Sequence, residues 1–270
     1  MSNSQIVLPF LKWAGGKRWL ANNYGEVIDL HGAVRYVEPF LGSGAVFFSV
    51  NPGKALLNDA NRDLVGAYRT IKEDWKSVYS LLQKYHRKHD VDFYYEMRNK
   101  RPVTAVGRAA RFIYLNRTCF NGLYRVNKQG CFNVPVGTKS SVVLDTDDFR
   151  SVASRLKCAR LVSGDFEKVV NECGVGDFLY VDPPYTVKHN NNGFVKYNER
   201  LFSWSDQERL ASALMRAVSR GARAVVSNAD HPSIRELYNG CDQIVAERHS
   251  VMASESARRK KTTELVIFLR

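Results

Sequence analysis

Acidic residues are scarce in this chain. Its 270 residues include 40 Lys and Arg against 27 Asp and Glu, a formal charge of +13. The shortage is local as well as global. From Met97 through Leu144 there is no Asp or Glu, against nine basic residues: Arg98, Lys100, Arg101, Arg108, Arg111, Arg117, Arg125, Lys128 and Lys139. Ordinary surfaces intersperse both signs, so an acid-free stretch of this length points to a polyanionic partner. Cysteine is also sparse. The five are Cys119, Cys131, Cys158, Cys173 and Cys241; the number is odd and no two have C-x-x-C spacing. That reads as free thiols in a reducing cytoplasm, without structural zinc. The six histidines add no ligand spacing, so no metal is expected. No apolar run reaches the length of a membrane span, and the first residues lack a basic-then-apolar signal pattern. With no membrane partner expected, nucleic acid leads. Repeats, linkers and low-complexity segments are missing too. The length suits one large α/β domain with an insertion, or two small domains, and 44% apolar residues supply a sizeable core.

Against these absences stands Asp182-Pro183-Pro184-Tyr185. It follows the apolar run Phe178 to Val181, which reads as a buried strand ending at the first proline. Paired prolines fix φ and remove their own N–H groups, leaving outward carbonyls between a carboxylate and a ring. That suits a planar, amine-bearing ligand, although an ordinary turn after a strand would look the same.

Upstream, Val34 to Glu38 reads as a strand, Pro39 to Gly44 as a glycine turn, and Ala45 to Val50 as the opening of a helix. This is the nucleotide-cofactor half of a doubly wound sheet, with glycines that admit close backbone approach. A second strand, Ala55 to Leu57, leads to Asp59, where ribose hydroxyls are usually bonded. The Phe-x-Gly-x-Gly pattern lacks the third glycine that packs a helix under a pyrophosphate. It therefore leans towards S-adenosylmethionine over a nicotinamide cofactor. Gly15-Gly16, between Trp13 and Lys17, forms a turn able to wrap a small anionic group.

Residues 62–144 interrupt the α/β rhythm. Trp75, Val78, Leu81 and Leu82, and then Val106, Ala109, Ala110, Ile113 and Tyr114, recur at helical spacing. Within the acid-free run, Asn116 to Asn127 alternates basic, amide and aromatic side chains around Gly122, as a major-groove reader does. Phe132 to Gly137 suggests a hairpin. From Asp145 the α/β rhythm resumes: a helix over 147–156, a strand over 159–162 ending at Asp165 and Phe166, and a helix towards Asn171. A loop over 186–202 follows the tetrapeptide, placed to close over a substrate. Then come a helix over 205–220 with a Ser205–Glu208 capping box, a strand over 223–227, a helix over 234–238, and a closing strand pair at 244–247 and 265–269. The basic loop Ala257 to Lys261 is a candidate for phosphate contacts.

Six motifs stand in order: Trp-Ala-Gly-Gly-Lys, Glu-Pro-Phe-x-Gly-x-Gly, Asn-Asp-x-Asn, Asn-Arg-x-x-x-Asn-Gly-Leu-x-Arg, Phe-Asn-Val-Pro-x-Gly and Asp-Pro-Pro-Tyr. Together they resemble the Dam-type DNA adenine-N6 methyltransferases over nearly the whole chain. The resemblance implies a Rossmann-like S-adenosylmethionine-dependent methyltransferase sheet, residues 1–61 and 145–270, with a mainly helical target-recognition domain inserted at 62–144. It assigns Trp13, Lys17, Asp59 and Asp182 to the S-adenosylmethionine site. Glu38, Phe40, Gly42 and Gly44 shape that pocket, and Asp165 and Phe166 border the cofactor adenine. Lys12 and Arg125 match base readers that serve the outer guanines of GATC, and Leu123 and Pro135 match apolar base contacts. Phe120 stands where the family often has a Tyr wedge. Arg117, Asn121 and the loop Arg258, Arg259, Lys260 and Lys261 complete the expected contacts to double-stranded DNA.

The expected chemistry follows. The target adenine leaves the duplex, Tyr185 stacks on it, and Asp182 and the Pro183 carbonyl accept from its amino group, with Pro184 stiffening the turn. Cytosine N4 or a protein glutamine amide would suit the same stretch. A catalytically dead DNA-binding regulator is the alternative of another class. A cytoplasmic monomer associated with the nucleoid is expected. Housekeeping, restriction-modification and phage origins remain open.

Overall fold

Apolar four- and five-residue runs separated by glycine turns and amphipathic stretches build a layered α/β fold in the computed structural model. It describes residues 7–13, 15–17, 19–20, 27–127, 129–187, 202–249 and 261–270, without side chains at 248, 249, 261 and 262. The strands are β1 (Arg35–Glu38), β2 (Ala55–Asp59), β3 (Ala159–Ser163), β4 (Asp177–Val181), β5 (Arg223–Ala229), β6 (Asp242–His249) and β7 (Lys261–Leu269). They form a seven-stranded sheet of order β3-β2-β1-β4-β5-β7-β6. β1 pairs parallel with β2 and β4, and β4 with β5, while β7 runs antiparallel to both β5 and β6. This is a Rossmann-like, doubly wound sheet with an antiparallel edge pair. Its order reverses between β1 and β4, and ligands of such sheets bind beyond the carboxyl ends of the strands at that point. β4 is buried along its whole length, as expected of a central parallel strand covered on both faces.

The helices are α1 (Ala45–Val50), α2 (Arg62–Lys88, broken at Asp74), α3 (Val91–Asn99), α4 (Ala105–Thr118), α5 (Phe149–Leu156), α6 (Phe166–Asn171), α7 (Trp204–Ser219) and α8 (Pro232–Leu237). α2 to α4 fall where helical spacing interrupts the α/β rhythm. Asn61, Asp90 and Thr104 cap them, each side chain accepting from main-chain N–H groups of the first turn. Two expectations shift. The capping box of α7 is formed by Ser203 and Asp206, each accepting from the other's N–H, because the helix starts at Trp204. Ser205 and Glu208 instead contact the side chains of Ser203 and Trp204. The segment 132–137 forms no regular strand; its β pairing is limited to isolated bridges, Cys119 to Val136 and Val126 to Phe132.

The chain divides into two compact units. One comprises Met1–Asn23, Leu41–Pro52 and Asp59–Ser163; the other comprises Tyr24–Phe40, Gly53–Asn58 and Gly164–Arg270. In the first, Arg117 overturns an expectation. Its guanidinium is fully buried, pairs with both oxygens of Asp147 at 2.6 Å, and donates to the carbonyls of Phe10 and Val142. Arg117 therefore ties three chain segments together and is not available to DNA. The other unit has a counterpart in Arg35, which bonds both oxygens of Asp177 across the β1–β4 pair. Among the described residues no helix is long and apolar enough to cross a membrane, and no group of His, Cys, Asp and Glu could hold a metal.

Removing one member of a buried ion pair strands its partner. Arg117→Ala should cost about 3–5 kcal/mol of stability, read as a lowered urea midpoint. A midpoint equal to that of the unmutated chain would contradict the structural role.

Candidate active site

In the second unit, β1 ends at Glu38 and β4 runs directly into Asp182. The buried hydroxyl of Tyr36 donates to Glu38 Oε2 at 2.8 Å. The hydroxyl of Tyr180 lies in the field of both Asp182 and Glu38, so two carboxylates from adjacent parallel strands face one region. Burial, reinforced by Asp182 and Glu264, holds the Tyr185 hydroxyl well above the usual tyrosine range, so it stays protonated. That hydroxyl donates to Glu264 Oε2 at 2.8 Å and lies 3.3 Å from Ser227 Oγ. The Pro184 carbonyl accepts from Gln207 Nε2 at 3.2 Å. Asp182, Pro183, Pro184 and Tyr185 thus project from a rigid strand end with identifiable supports.

Three rings form a cluster in the same unit. Phe40 packs on Phe166 (centroids 5.4 Å apart) and on Phe202 (5.5 Å), and Phe166 on Phe202 (5.5 Å). The Arg209 guanidinium lies 4.4 Å from the Phe166 ring centroid. It also holds both oxygens of Asp165 at 2.9 Å, which keeps that carboxyl below its usual range. Asp165 caps α6 as well, through the N–H of Glu167. Its carboxylate is therefore already engaged, and Phe166 is buried beneath Phe40, Phe202 and Arg209. Asn58 joins the Pro39 and Gly164 carbonyls, fixing the loops that follow β1 and precede α6.

The first unit contains the glycine turn. Gly42 and Gly44 have φ of +49° and +65°, which glycine adopts without strain. A Cβ on Gly42 would also stand 2.9 Å from Trp13 Cδ1, so the indole lies directly on the turn. The Gly42 N–H donates to Asp59 Oδ2 at 3.0 Å, and Asn61 N–H to Oδ1 at 2.9 Å. Burial pushes the Asp59 carboxyl up while these two bonds pull it back. Lys17 is buried and donates to the Gly15 carbonyl at 3.0 Å. Trp13, Gly42, Gly44 and Asp59 thus meet around one turn. A half-buried carboxylate, close-approach glycines and an indole form a donor set whose chemistry fits a cationic nucleoside such as S-adenosylmethionine.

The reader segment belongs to this unit too. α4 ends at Thr118, and a 3-10 turn, Phe120–Gly122, follows with Asn121 and Gly122 at positive φ. Phe120 is 50% exposed, which is unusual for a large ring at the tip of a turn. The turn is pinned from behind. Phe120 N–H donates to the Pro135 carbonyl and Gly137 N–H to that of Thr118, while the Tyr94 hydroxyl donates to the Val134 carbonyl. Asn116 clamps Lys12 by bonding both its N–H and its carbonyl, at 2.9 and 2.7 Å. A Cβ on Gly122 would lie 3.2 Å from Lys12 Cβ, so Lys12 sits on the reader turn. Burial, then Lys139 and Arg117, lower the Lys12 pKa, the mark of a crowded cationic surface. Arg125 is exposed, with Nε held by Asn133 Oδ1 at 2.9 Å. Leu123 is half-buried and Pro135 exposed. Not every cation of the acid-free stretch is free of protein partners: exposed Arg101 and Arg108 and half-buried Arg111 donate to main-chain carbonyls of residues 97–103. Arg258, Arg259 and Lys260, and most of the loop over 186–202, lie outside the described residues, as does the Lys261 side chain.

Gln207, Arg209, Ser227 and Glu264 escape sequence reasoning as site residues, and Asn116 and Asn133, though inside the quoted motifs, receive no role of their own there. The first four act through partners distant in the chain, and no local spacing marks them. The one available signal is chemical: Gln207 and Glu264 are polar residues at positions that the surrounding apolar pattern turns inward.

The second unit thus carries a carboxylate-proline turn at the end of β4, and the first an exposed turn with Phe120 and Arg125. Comparison supplies the class. Residues 13–256 match the model for the D12 class N6 adenine-specific DNA methyltransferases, and the chain belongs to that family. It is 35% identical over 268 residues to the Type II methyltransferase M1.LlaDCHI of Lactococcus lactis subsp. cremoris, covering 96% of this chain and 94% of that one. It is 30% identical over 262 residues to the DNA adenine methylase of Vibrio cholerae serotype O1, covering 95% and 94%. It is also 36% identical over 232 residues to the DNA N-6-adenine-methyltransferase of Escherichia phage P1, covering 84% of this chain and 30% of that one.

The Gly137 position tests the pinning of the reader turn. A Cβ there would meet the Cys119 carbonyl oxygen at 2.5 Å, a main-chain atom that cannot step aside. Gly137→Ala should cost about 1–3 kcal/mol in urea unfolding and weaken DNA binding in gel-shift titrations. Unchanged DNA affinity would show that the turn is held by other contacts.

Proposed function

We propose that this chain transfers a methyl group from S-adenosylmethionine to N6 of an adenine flipped out of double-stranded DNA, within GATC. Residues 62–144 form the target-recognition insertion, and 1–61 with 145–270 the catalytic part, working as a monomer on DNA in the cytoplasm. The observation that carries this reading is the Asp182-Pro183-Pro184-Tyr185 turn, held at the end of β4 beside Glu38 and Tyr180.

Adenine N6 is a weak nucleophile because its lone pair is delocalised into the ring. Asp182 and the Pro183 carbonyl accept from its two hydrogens and draw the nitrogen out of conjugation. Tyr185 stacks on the extruded ring, worth about 1–3 kcal/mol. This offsets part of the few kcal/mol that unstacking costs. S-adenosylmethionine supplies an electrophilic methyl group. Trp13, Lys17, Gly42, Gly44 and Asp59 hold the donor, with Glu38, Phe40 and Phe166 completing its surroundings. Positioning and fixed charge supply most of the acceleration. The proton leaves after transfer, so Asp182 works as an ionised acceptor. Lys12 and Arg125 read guanine edges, Leu123 and Pro135 touch bases, Asn121 shapes the turn, and Phe120 fills the gap left by the flipped base. The protonated Tyr185 implies that its hydroxyl adds no break to the pH–rate profile at ordinary tyrosine values.

Labelled S-adenosylmethionine and duplex DNA test the reading. Transfer to adenine N6, identified by nucleoside analysis, is expected; label on cytosine, on protein or nowhere defeats it. Asp182→Ala should abolish transfer while leaving DNA binding measurable. Arg125→Ala should lower discrimination at one position of the target by about 1–3 kcal/mol, seen by comparing rates on GATC and singly altered duplexes. Equal losses on every duplex would mean that Arg125 contacts phosphate.

A further inference from the structure

Pro183 and Pro184 have no N–H, so the middle of the catalytic turn can be held only through carbonyls and side chains. Two buried groups reach them. Gln207, on α7, donates from Nε2 to the Pro184 carbonyl, and its Oε1 accepts from Asn228 Nδ2 at 3.1 Å. Both residues are fully buried. Glu264, on β7 and 3% exposed, accepts from the Tyr185 hydroxyl at 2.8 Å and from Ser227 Oγ at 3.3 Å. Ser227 and Asn228 are neighbours on β5, and the register sets Asn228 against Leu265 and Ser227 against Val266 on β7. A buried carboxylate is costly unless charge-assisted hydrogen bonds satisfy it. A hydroxyl of the catalytic turn supplies the shortest bond recorded to Glu264 in this group.

We propose that Glu264 is a positioning residue for methyl transfer: through its bond to the Tyr185 hydroxyl it fixes where the stacking ring lies, while the Gln207–Asn228 pair fixes the Pro184 peptide beside it. This rests on the reading that Tyr185 stacks on the flipped base. The phenol is long, and its ring can swing about χ1 even with the Pro184 carbonyl before it held by Gln207. A bond at the far end removes that freedom before the base arrives, so less ordering remains at the moment of reaction. Glu264 never touches substrate. Its effect should appear in the rate of transfer and not in the affinity for donor or DNA.

Single-turnover methylation with Glu264→Leu, Glu264→Gln, Tyr185→Phe and the Tyr185→Phe/Glu264→Leu double variant tests this. Glu264→Leu and Tyr185→Phe should each slow transfer about tenfold, with donor and DNA dissociation constants unchanged. The double variant should fall no further than the slower single one, because both remove the same bond. Glu264→Gln keeps an acceptor and should recover most of the rate lost in Glu264→Leu. With 2-aminopurine at the target position, bound-state fluorescence should rise in Glu264→Leu and Tyr185→Phe as stacking loosens. Losses that multiply to about a hundredfold in the double variant, or donor affinity falling in step with the rate, overturn the proposal. If Glu264→Leu does not fold by circular dichroism, Tyr185→Phe decides alone, and a normal rate with normal fluorescence overturns it. Failure of the underlying reading looks different: no adenine methylation by the unmutated chain, or methylation surviving Asp182→Ala.

Discussion

Two prolines in succession impose the constraint on which the catalytic end depends. They stiffen the turn after β4, and they also strip it of the donors by which loops normally attach to their surroundings. Position must then come from outside. β4 supplies the approach, buried along its length between β1 and β5. α7 supplies Gln207 to a proline carbonyl, and the antiparallel β5–β7 pair brings Ser227 and Glu264 to the tyrosine hydroxyl. The late strands of the sheet therefore do more than close the core. They deliver the side chains that a proline-rich turn cannot do without.

Much of the frame is legible in the sequence because it rests on local rules. Apolar runs ending in glycine or proline mark β1, β2 and β4 to within a residue or two, and Gly42 and Gly44 announce a turn whose φ values require them. Asp59 is recognisable as the acid closing a strand. What stays hidden is pairing across long separations. Arg117 carries every local sign of a DNA contact: a basic residue in an acid-free stretch beside Asn116 and Phe120. The fold turns it inward, because α4 packs that face against Phe10 and against Asp147, an acid outside the acid-free run. The capping box of α7 fails for a smaller reason of the same kind. Ser203 and Ser205 are both plausible starts, and only the geometry of the first turn separates them.

Charge is partitioned according to what each region must meet. The acid-free stretch leaves Arg125 exposed with its Nε on Asn133, while Arg101, Arg108 and Arg111 bond main-chain carbonyls of residues 97–103 and Arg117 turns fully inward. Counting cations along the chain therefore overstates the set left for a polyanion under the proposed function. Lys12 is held on the Gly122 turn by Asn116, and burial, then Lys139 and Arg117, lower its pKa.

Under the proposed function the opposite holds near the catalytic turn, where a cationic donor and an amino group would both have to be welcomed close to phosphates. Carboxylates suit the first task and oppose the second. The second unit reconciles them by depth. Glu38 and Glu264 are buried and each accepts from a tyrosine hydroxyl, Tyr36 and Tyr185, while only Asp182 stands partly exposed at the strand end. Burial weakens screening by salt, so these charges act on groups a few ångströms away more strongly than surface acids could. The tyrosines stay neutral in that field, since burial and nearby carboxylates raise their pKa values. Carboxylates are thus held against tyrosine hydroxyls in the unit that carries the Asp182 turn, where the proposed reaction would use them, in a chain whose net charge is strongly positive.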